Sequence, residues 1–223
     1  MRYSLAGLAT TLLSNEARAA RAGPAFQWPA QPCKDVQNAC PPLSNHRTAL
    51  TKIRIRPEEP SDIDAITELT EQAFRHAPHT SHTEQYIVLA LRRAGALCVS
   101  LVAQQDARVI GHVAFSPVAI SDGSPHWYGL GPVSVLPEAQ GKGIGSALVH
   151  QGLEALRAAG AQGCVVLGEP GYYERFGFRS SQGLVLDGVP PEYFQSLAFG
   201  AQAASGRVSY HTAFDAKDDG DAS

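Results

Sequence analysis

The chain has 223 residues, of which 44% are hydrophobic and 17% charged, and it carries a formal net charge of −3. This composition is typical of one ordinary globular domain with tails. The acidic balance argues against a nucleic-acid surface, which would show a basic stripe, and no apolar run has the length that a membrane span needs.

Residues 1–51 differ from the rest of the chain. A weakly apolar stretch at 5–13 is followed by alanines and arginines and then by a proline-rich segment. We expect a disordered leader here, because such a segment buries too little apolar surface to fold. An export signal and a transit peptide remain alternatives.

Periodic patterning begins at residue 52 and predicts one domain over residues 52–214, followed by a disordered acidic tail at 215–223. Ser61 and Asp64 resemble a capping box at the start of the first helix. In chain order the predicted elements are a strand at 52–56, helices at 61–74 and 83–94, strands at 97–104, 109–119 and 126–135, a helix at 141–159, a strand at 163–167, a short helix closed by Gly177, a strand at Val185 and Leu186, and a last strand at 207–214.

This order of elements predicts the fold class. Strands with short connections alternate with only a few helices, and residues 163–167 form a continuous apolar run of the kind found inside a sheet. The fold is therefore expected to be α/β of the α+β type, with a mixed, largely antiparallel central sheet flanked by helices.

The most informative stretch is residues 130–148, LGPVSVLPEAQGKGIGSAL. Residues 133–135 favour a strand, and a glycine-rich turn then opens a helix. The N–H groups at such a helix start are unpaired, and they favour a phosphate together with the positive end of the helix dipole. Lys142 adds a positive charge, and no acidic residue lies between 139 and 153. The sequence therefore predicts an anion site at this turn.

Several interpretations of the turn remain open. A P-loop needs Ser or Thr after its lysine, but Gly143 follows Lys142 here. A dinucleotide fingerprint needs a wider glycine spacing, although Glu169 after the next strand could mimic its ribose-binding acid. A closely packed helix start without a ligand is another possibility. The remaining pattern is Gln-x-x-Gly-x-Gly, from Gln140 to Gly145.

That pattern and a second motif together resemble the GNAT N-acyltransferase superfamily. The second motif is Tyr-x-x-x-Gly-Phe, from Tyr173 to Phe178, and one strand separates the two. The segments GHVAFS, LGPVSV and GEPGYYERFGF are similar to sequences of the YhbS-like bacterial subgroup. The resemblance covers about residues 52–214.

The resemblance implies an acyl-CoA N-acyltransferase fold and an acetyltransferase that uses acetyl-CoA and no metal. The acceptor would be a primary amine of a small molecule or a protein, and the enzyme a monomer or homodimer. In this family the pantetheine arm lies in a gap between two splayed strands, and a backbone N–H near Val135 would polarise the thioester. The residues expected to bind acetyl-CoA are Val133, Ser134, Val135, Gln140, Gly141, Lys142, Gly143, Ile144, Gly145 and Ser146.

Tyr173 matches the family tyrosine that protonates the departing thiolate, and a packing role is its alternative. Tyr172 lies about 100° around a helix from it and is interpreted as a packing residue. The general base is not assigned: His112, His126 and Glu138 are candidates, and a relay through water would leave no trace in the sequence. A non-catalytic acyl-CoA-binding module and a dinucleotide-binding oxidoreductase remain alternatives for the whole chain.

Two further patterns bear on metal binding and location. His76, His79 and His82 follow at a spacing of three, but Pro78 interrupts any regular helix through them, so we expect no metal site. Reduced thiols are expected at Cys33, Cys40, Cys98 and Cys164, with a Cys33–Cys40 pair as the alternative. We therefore expect a cytoplasmic protein without nucleic-acid or membrane partners.

Overall fold

The computed structural model describes residues 53–76, 82–180, 183–200 and 204–217. The predicted leader at 1–51 and residues 218–223 of the predicted tail lie outside these residues. The strands are β1 (Ile53–Pro57), β2 (Val99–Gln105), β3 (Arg108–Ile120), β4 (Trp127–Val135), β5 (Gly163–Leu167), β6 (Arg179–Ser180), β7 (Leu184–Val185), β8 (Phe194–Ala198) and β9 (Gly206–Tyr210). The helices are α1 (Ile63–Phe74), α2 (Glu84–Arg93), α3 (Ile144–Ala158) and α4 (Pro170–Tyr173).

The strands form a mixed, largely antiparallel sheet in the order β1-β2-β3-β4-β5-β8-β6. Among the strands of the described residues, only β4–β5 and the short β7–β9 pair run parallel. The far end of the long strand β3 pairs with β9, at Val118↔Tyr210 through Ile120↔Val208. This architecture confirms the predicted fold class.

Helix α3 packs on one face of the sheet through close contacts at glycines. A Cβ on Gly152 would overlap the ring of Phe115, and one on Gly111 would lie 3.0 Å from Leu148 Cδ1. Phe115 and Leu148 are fully buried. Helix α1 covers the opposite face, where Ser134 of β4 donates a hydrogen bond to Thr70. The sheet is thus enclosed by helices on both sides, as its apolar strands require.

The structure corrects three local predictions. The capping box that precedes α1 uses Glu59 and Asp62 instead of Ser61 and Asp64, and the Glu59 N–H donates to the Asp62 carboxylate at 2.7 Å. The last strand ends at Tyr210, because His211 Nδ1 accepts from Ala213 N–H and caps a short 3-10 helix instead. Strands β6 and β8 were not predicted; β8 follows two prolines and pairs along its length with β5.

The cysteines differ from the sequence expectation at one position. Cys164 is a buried free thiol, as expected. Cys98 is disulfide-bonded, and its partner lies outside the described residues. The prediction of four reduced thiols is therefore wrong for Cys98.

Candidate functional site

Strands β4 and β5 diverge next to the glycine turn. Their parallel pairing extends from Trp127↔Gly163 to Leu130↔Val166, whereas β4 continues to Val135 and there pairs with β3. The cis Gly131–Pro132 peptide bond lies where the strands separate. The side of β4 that faces β5 is thus left as an open edge beyond Leu130, and an open edge can pair with an extended ligand.

The glycine turn leads from this edge into α3 with unpaired backbone donors. Gly141 and Gly143 have φ angles of 74° and 82°, a left-handed conformation that favours glycine. Within the described chain, the N–H groups of residues 141–146 donate no backbone hydrogen bond. A Cβ on Gly143 would meet nothing within 4 Å, so the space above the turn is open. Open donors at a helix start favour the binding of an anion.

The side chains of the turn brace it from outside. Gln140 Nε2 donates to the Val135 carbonyl at 3.0 Å, and Lys142 Nζ donates to the Glu138 carbonyl at 2.9 Å. Both contacts are exposed. Gln140 therefore fixes the end of β4 relative to the turn, and Lys142 keeps its charge beside the turn.

The predicted residues of β4 face in two directions. A Cβ on Gly145 would lie 3.6 Å from Val135 Cγ2 and 4.0 Å from Val133 Cγ1, so both valines face α3. Ser134 is buried on the other face, and its hydroxyl lies 3.2 Å from that of Thr70. Because these side chains are already packed or hydrogen-bonded, the backbone edge of β4 is what remains open to a ligand.

The two tyrosines of α4 occupy different places. The Tyr172 hydroxyl lies 3.4 Å from Ser146 Oγ, at the start of α3, and would be 3.2 Å from a Cβ on Gly145. The position of Tyr172 on the helix predicts a packing residue. It does pack edge-on against Tyr173 and Phe176, but its hydroxyl also reaches the glycine turn.

Tyr173 is enclosed at the carboxyl end of β5. A Cβ on Gly168 would overlap its ring, and Phe178 packs edge-on against it with ring centroids 5.9 Å apart. Burial is the largest cause that raises the pKa of Tyr173, and the neighbouring Tyr172 and Cys164 raise it further. The phenol is therefore protonated at neutral pH and can act as a proton donor.

His112 is held in a buried polar network. Its Nε2 lies 2.8 Å from Ser100 Oγ, and Ser100 donates its proton to Glu58. Burial raises the pKa of Glu58, but hydrogen bonds from Arg92 and Ser100 lower it more, so the carboxylate is charged. His112 must then donate its Nε2 proton to Ser100, because the Ser100 proton is already used.

This network leaves His112 a weak base. Burial lowers the pKa of His112 to about 4, so the imidazole is neutral at pH 7. Among the described residues, its Nδ1 is buried without a hydrogen-bond partner. The other two candidate bases lie on the surface: Glu138 pairs with Arg108 at 3.0 Å, and His126 is exposed in the loop before β4.

The described part of the chain bears on two further questions, metal binding and membrane crossing. It contains no cluster of three or more His, Cys, Asp or Glu side chains that could hold a metal ion; His79 lies outside it. None of the helices found there combines the length and the apolarity that crossing a bilayer requires.

An open strand edge that leads into a helix start with free N–H groups fits a ligand with an extended arm and a phosphate group. The family model of the acetyltransferase (GNAT) family matches residues 63–178. The chain therefore belongs to the GNAT acetyltransferase family, and it is an acyltransferase.

Similar proteins agree with this assignment. The uncharacterized N-acetyltransferase YhbS of Escherichia coli K12 is 39% identical over 125 residues, which are 56% of this chain and 72% of that protein. A crystal structure of a GNAT family acetyltransferase from Brucella melitensis in complex with acetyl-CoA is 51% identical, with a TM-score of 0.67, and covers 74% of this chain and 100% of its own. The Escherichia coli YhbS structure in complex with CoA is 32% identical, with a TM-score of 0.70, and covers 77% and 97%.

These comparisons confirm the predicted family, fold and enzyme class. The acetyl-CoA predicted as co-substrate is also the molecule bound in the Brucella structure. They leave no support for a dinucleotide-binding oxidoreductase. Two buried hydroxyl groups near the gap, those of Ser116 and Tyr210, were not among the predicted site residues, because a hydroxyl residue inside a predicted strand gives no sign of a site.

Proposed function

We propose that this protein transfers the acetyl group of acetyl-CoA to a primary amine by direct attack. The observation that carries the proposal is the continuity of two open features. The unpaired edge of β4 beyond Leu130 leads directly into the free N–H groups of residues 141–146. An elongated ligand with an amide-bearing arm and a diphosphate matches both features at once.

In this arrangement the diphosphate lies on the glycine turn. The N–H groups of Gly141, Lys142, Gly143, Ile144, Gly145 and Ser146 are the proposed donors. Gln140 holds the turn against the end of β4, and Lys142 supplies positive charge. The pantetheine arm pairs with the backbone of Val133, Ser134 and Val135, which places the thioester in the gap near Tyr173.

The chemical step needs one proton donor beside the gap. The amine nitrogen attacks the thioester carbonyl carbon, and a backbone N–H near Val135 stabilises the oxyanion. The carbon–sulfur bond then breaks, and the Tyr173 hydroxyl gives its proton to the departing thiolate. The proton released by the amine returns to the phenolate through water. Burial raises the pKa of Tyr173 and keeps the phenol protonated, so a proton is available beside the gap, but the same shift makes its transfer to the thiolate less favourable.

The amine loses its proton to water in this proposal. His112, with a pKa of about 4, is too weakly basic to deprotonate an amine efficiently. Glu138 is held by Arg108 on the surface. Proximity of the amine and the thioester supplies much of the remaining rate enhancement, since both groups are intrinsically reactive.

We further propose that the catalytic domain comprises residues 52–214 and acts in the cytoplasm on an amine of a small molecule or a protein. The supply of acetyl-CoA inside cells supports this location. The disulfide at Cys98 speaks against it, because such bonds are rare in reducing compartments. A thiol count on protein isolated anaerobically from the cell tests the location.

A panel of primary amines tests the proposed activity, with acetyl-CoA as donor and released thiol as readout. We expect acetyl-CoA to bind and at least one amine to be acetylated with one thiol released per amide. Binding without thiol release for any amine would favour a non-catalytic acyl-CoA-binding module. Absence of acetyl-CoA binding would contradict the proposal.

A further inference from the structure

The side chains of Ser116 and Tyr210 lie on the face of the sheet opposite α3. Phe115 packs on Gly152 of α3, so its neighbour Ser116 points to the other face. Ser116 is paired with Gly129 across β3 and β4. A Cβ on Gly129 would overlap the ring of Tyr210. The phenol of Tyr210 therefore lies over Gly129, beside Ser116.

Both hydroxyls are buried and lack a partner. Within the described chain, neither Ser116 Oγ nor Tyr210 Oη makes a hydrogen bond. Burying a hydroxyl without a partner costs free energy, typically about 1–3 kcal/mol. Two such groups on one face of the sheet are unusual in a folded protein, where most buried polar atoms are paired. They are therefore candidates for binding a ligand that supplies the missing partners.

The pair lies at the gap between β4 and β5. Gly129 pairs with Val165, one step before the pairing ends at Leu130↔Val166. Burial is the largest cause that raises the pKa of Tyr210, and the nearby Cys164 and Tyr173 add to it. Tyr173 approaches the gap from α4, and Tyr210 approaches it from β9.

The ring of Tyr210 is held in position. Phe214 packs edge-on against it with ring centroids 4.9 Å apart, and the missing side chain at Gly129 leaves room for it. Both hydroxyl oxygens are closed to solvent, so a ligand that enters from the face opposite α3 would reach them by displacing the side chains that cover them. The thioester of the donor would lie in the gap between β4 and β5, beyond the two hydroxyls as seen from the entering ligand.

We propose that Ser116 and Tyr210 bind the acceptor, and that the acceptor is a primary amine with a neutral hydrogen-bonding group, a hydroxyl or a carboxamide, close to its nitrogen. This inference rests on the proposed acetyl transfer. Each protein hydroxyl can donate and accept, which matches a neutral polar group. A carboxylate would be buried against two uncharged groups without a counter-charge, which is costly.

The test compares ethanolamine with propylamine, which has nearly the same shape but lacks the hydroxyl. Tyr210→Phe and Ser116→Ala should each lower kcat/KM for ethanolamine about tenfold and change it less than twofold for propylamine. The same variants should lower kcat/KM for glycinamide, while glycine, with its carboxylate, should be a poor substrate of the wild type. Comparing each variant with the wild type cancels the different basicities of the amines. Tyr193→Phe is the matched control, because Tyr193 and Tyr210 pack against the same buried apolar cluster, which includes Trp127 and Val165. This variant should change kcat/KM for neither amine.

Stability gives a second readout that a purely structural role would not produce. Removing an unpartnered buried hydroxyl relieves its cost, so both variants should melt at the same temperature as the wild type or higher. A lower melting temperature with equal losses for both amines would overturn the inference and assign these residues to packing. Unchanged kinetics would overturn it and leave the acetyl transfer intact. A wild-type enzyme that binds acetyl-CoA and acetylates other amines, but not ethanolamine, propylamine, glycinamide or glycine, would also overturn the inference and leave the acetyl transfer intact. Failure to bind acetyl-CoA would overturn the proposed function itself.

Discussion

The ring of Tyr173 packs directly on Gly168, immediately after the last residue of β5. A side chain at Gly168 would overlap this ring, so the glycine is what allows the tyrosine to lie against the end of the strand. Gln195 of β8 donates to the Gly168 carbonyl at 3.2 Å and fixes the backbone there. The position of the tyrosine is therefore set by a contact that only glycine permits.

We predict that Gly168→Ala displaces Tyr173 and lowers kcat by at least tenfold while acetyl-CoA affinity changes less than threefold. The methyl group would force the ring away from the end of β5, and small displacements of a catalytic group have large effects on rate. Gly171→Ala is the matched control, because its Cβ would lie 3.9 Å from the nearest atom, Glu169 Oε1. Steady-state kinetics and calorimetry check the prediction, and equal kcat in both variants would contradict it.

Gly143 in the glycine turn can be compared with Gly160, because a side chain at either position would be placed on a left-handed backbone. Gly143 and Gly160 have φ angles of 82° and 79°, and a Cβ would meet nothing within 4 Å at either position. Gly143→Glu should weaken acetyl-CoA binding at least tenfold, about 1.4 kcal/mol, because its carboxylate would occupy the anion site. Gly160→Glu, beyond the other end of α3, should destabilise the fold to a similar extent without changing affinity. Similar affinities of the two variants in calorimetry would remove the assignment of the turn.

The buried His112 predicts a loss of stability in mild acid. Its pKa is about 4 in the folded protein and about 6.5 when exposed. As the pH falls through this window the unfolded chain takes up the proton first, so stability is full above pH 6.5 and declines toward pH 4. Burial lowers the pKa of His211 too, and this adds a loss of the same sign.

The comparison of wild type with His112→Gln isolates the contribution of His112. Glu58, Asp62 and Arg92 are the charged groups that act on it, and the pKa values of both carboxyls are lowered, so they stay ionised above pH 5. Between pH 7.5 and 5.5 the wild type should lose about 1 kcal/mol more unfolding free energy than the variant. Denaturant unfolding at both pH values measures this difference. Parallel losses would show that the histidine is not buried in its neutral form.

Sequence patterns predicted the parts of the fold that depend on local order. The predicted bounds of the strand at 163–167 match the structure, because a short continuous apolar run between glycines is typical of a buried strand. The helix at 141–159 was placed correctly but begins at Ile144, since Gly143 takes a left-handed conformation that sequence spacing does not reveal. Strand β8 was not predicted, because its extended conformation depends on the pairing with β5, which the local sequence does not indicate.

The candidate site was predictable to a smaller degree. The motif from Gln140 to Gly145 pointed to the turn whose donors are free in the structure. The hydroxyl contact between Tyr172 and Ser146 and the packing of Tyr210 over Gly129 join residues distant in the chain. Their side chains meet only through the tertiary fold, so no spacing along the chain could indicate them.

The chemical role of Tyr173 is tested most directly by Tyr173→Phe, with Tyr172→Phe as the matched control. Phe keeps the ring packing against Phe178 and removes only the hydroxyl. Since protonation is needed as the carbon–sulfur bond breaks, kcat should fall while acetyl-CoA affinity stays nearly constant. General acids are typically worth ~10²–10⁴-fold, and a good thiol leaving group places the expected loss near the lower limit.

Tyr172→Phe should keep kcat within threefold, because its hydroxyl lies at Ser146. The measurement is kcat for both variants with several amines, under conditions where chemistry limits the rate. A hundredfold loss confined to Tyr173→Phe is the predicted result, and wild-type kcat in that variant would contradict the account.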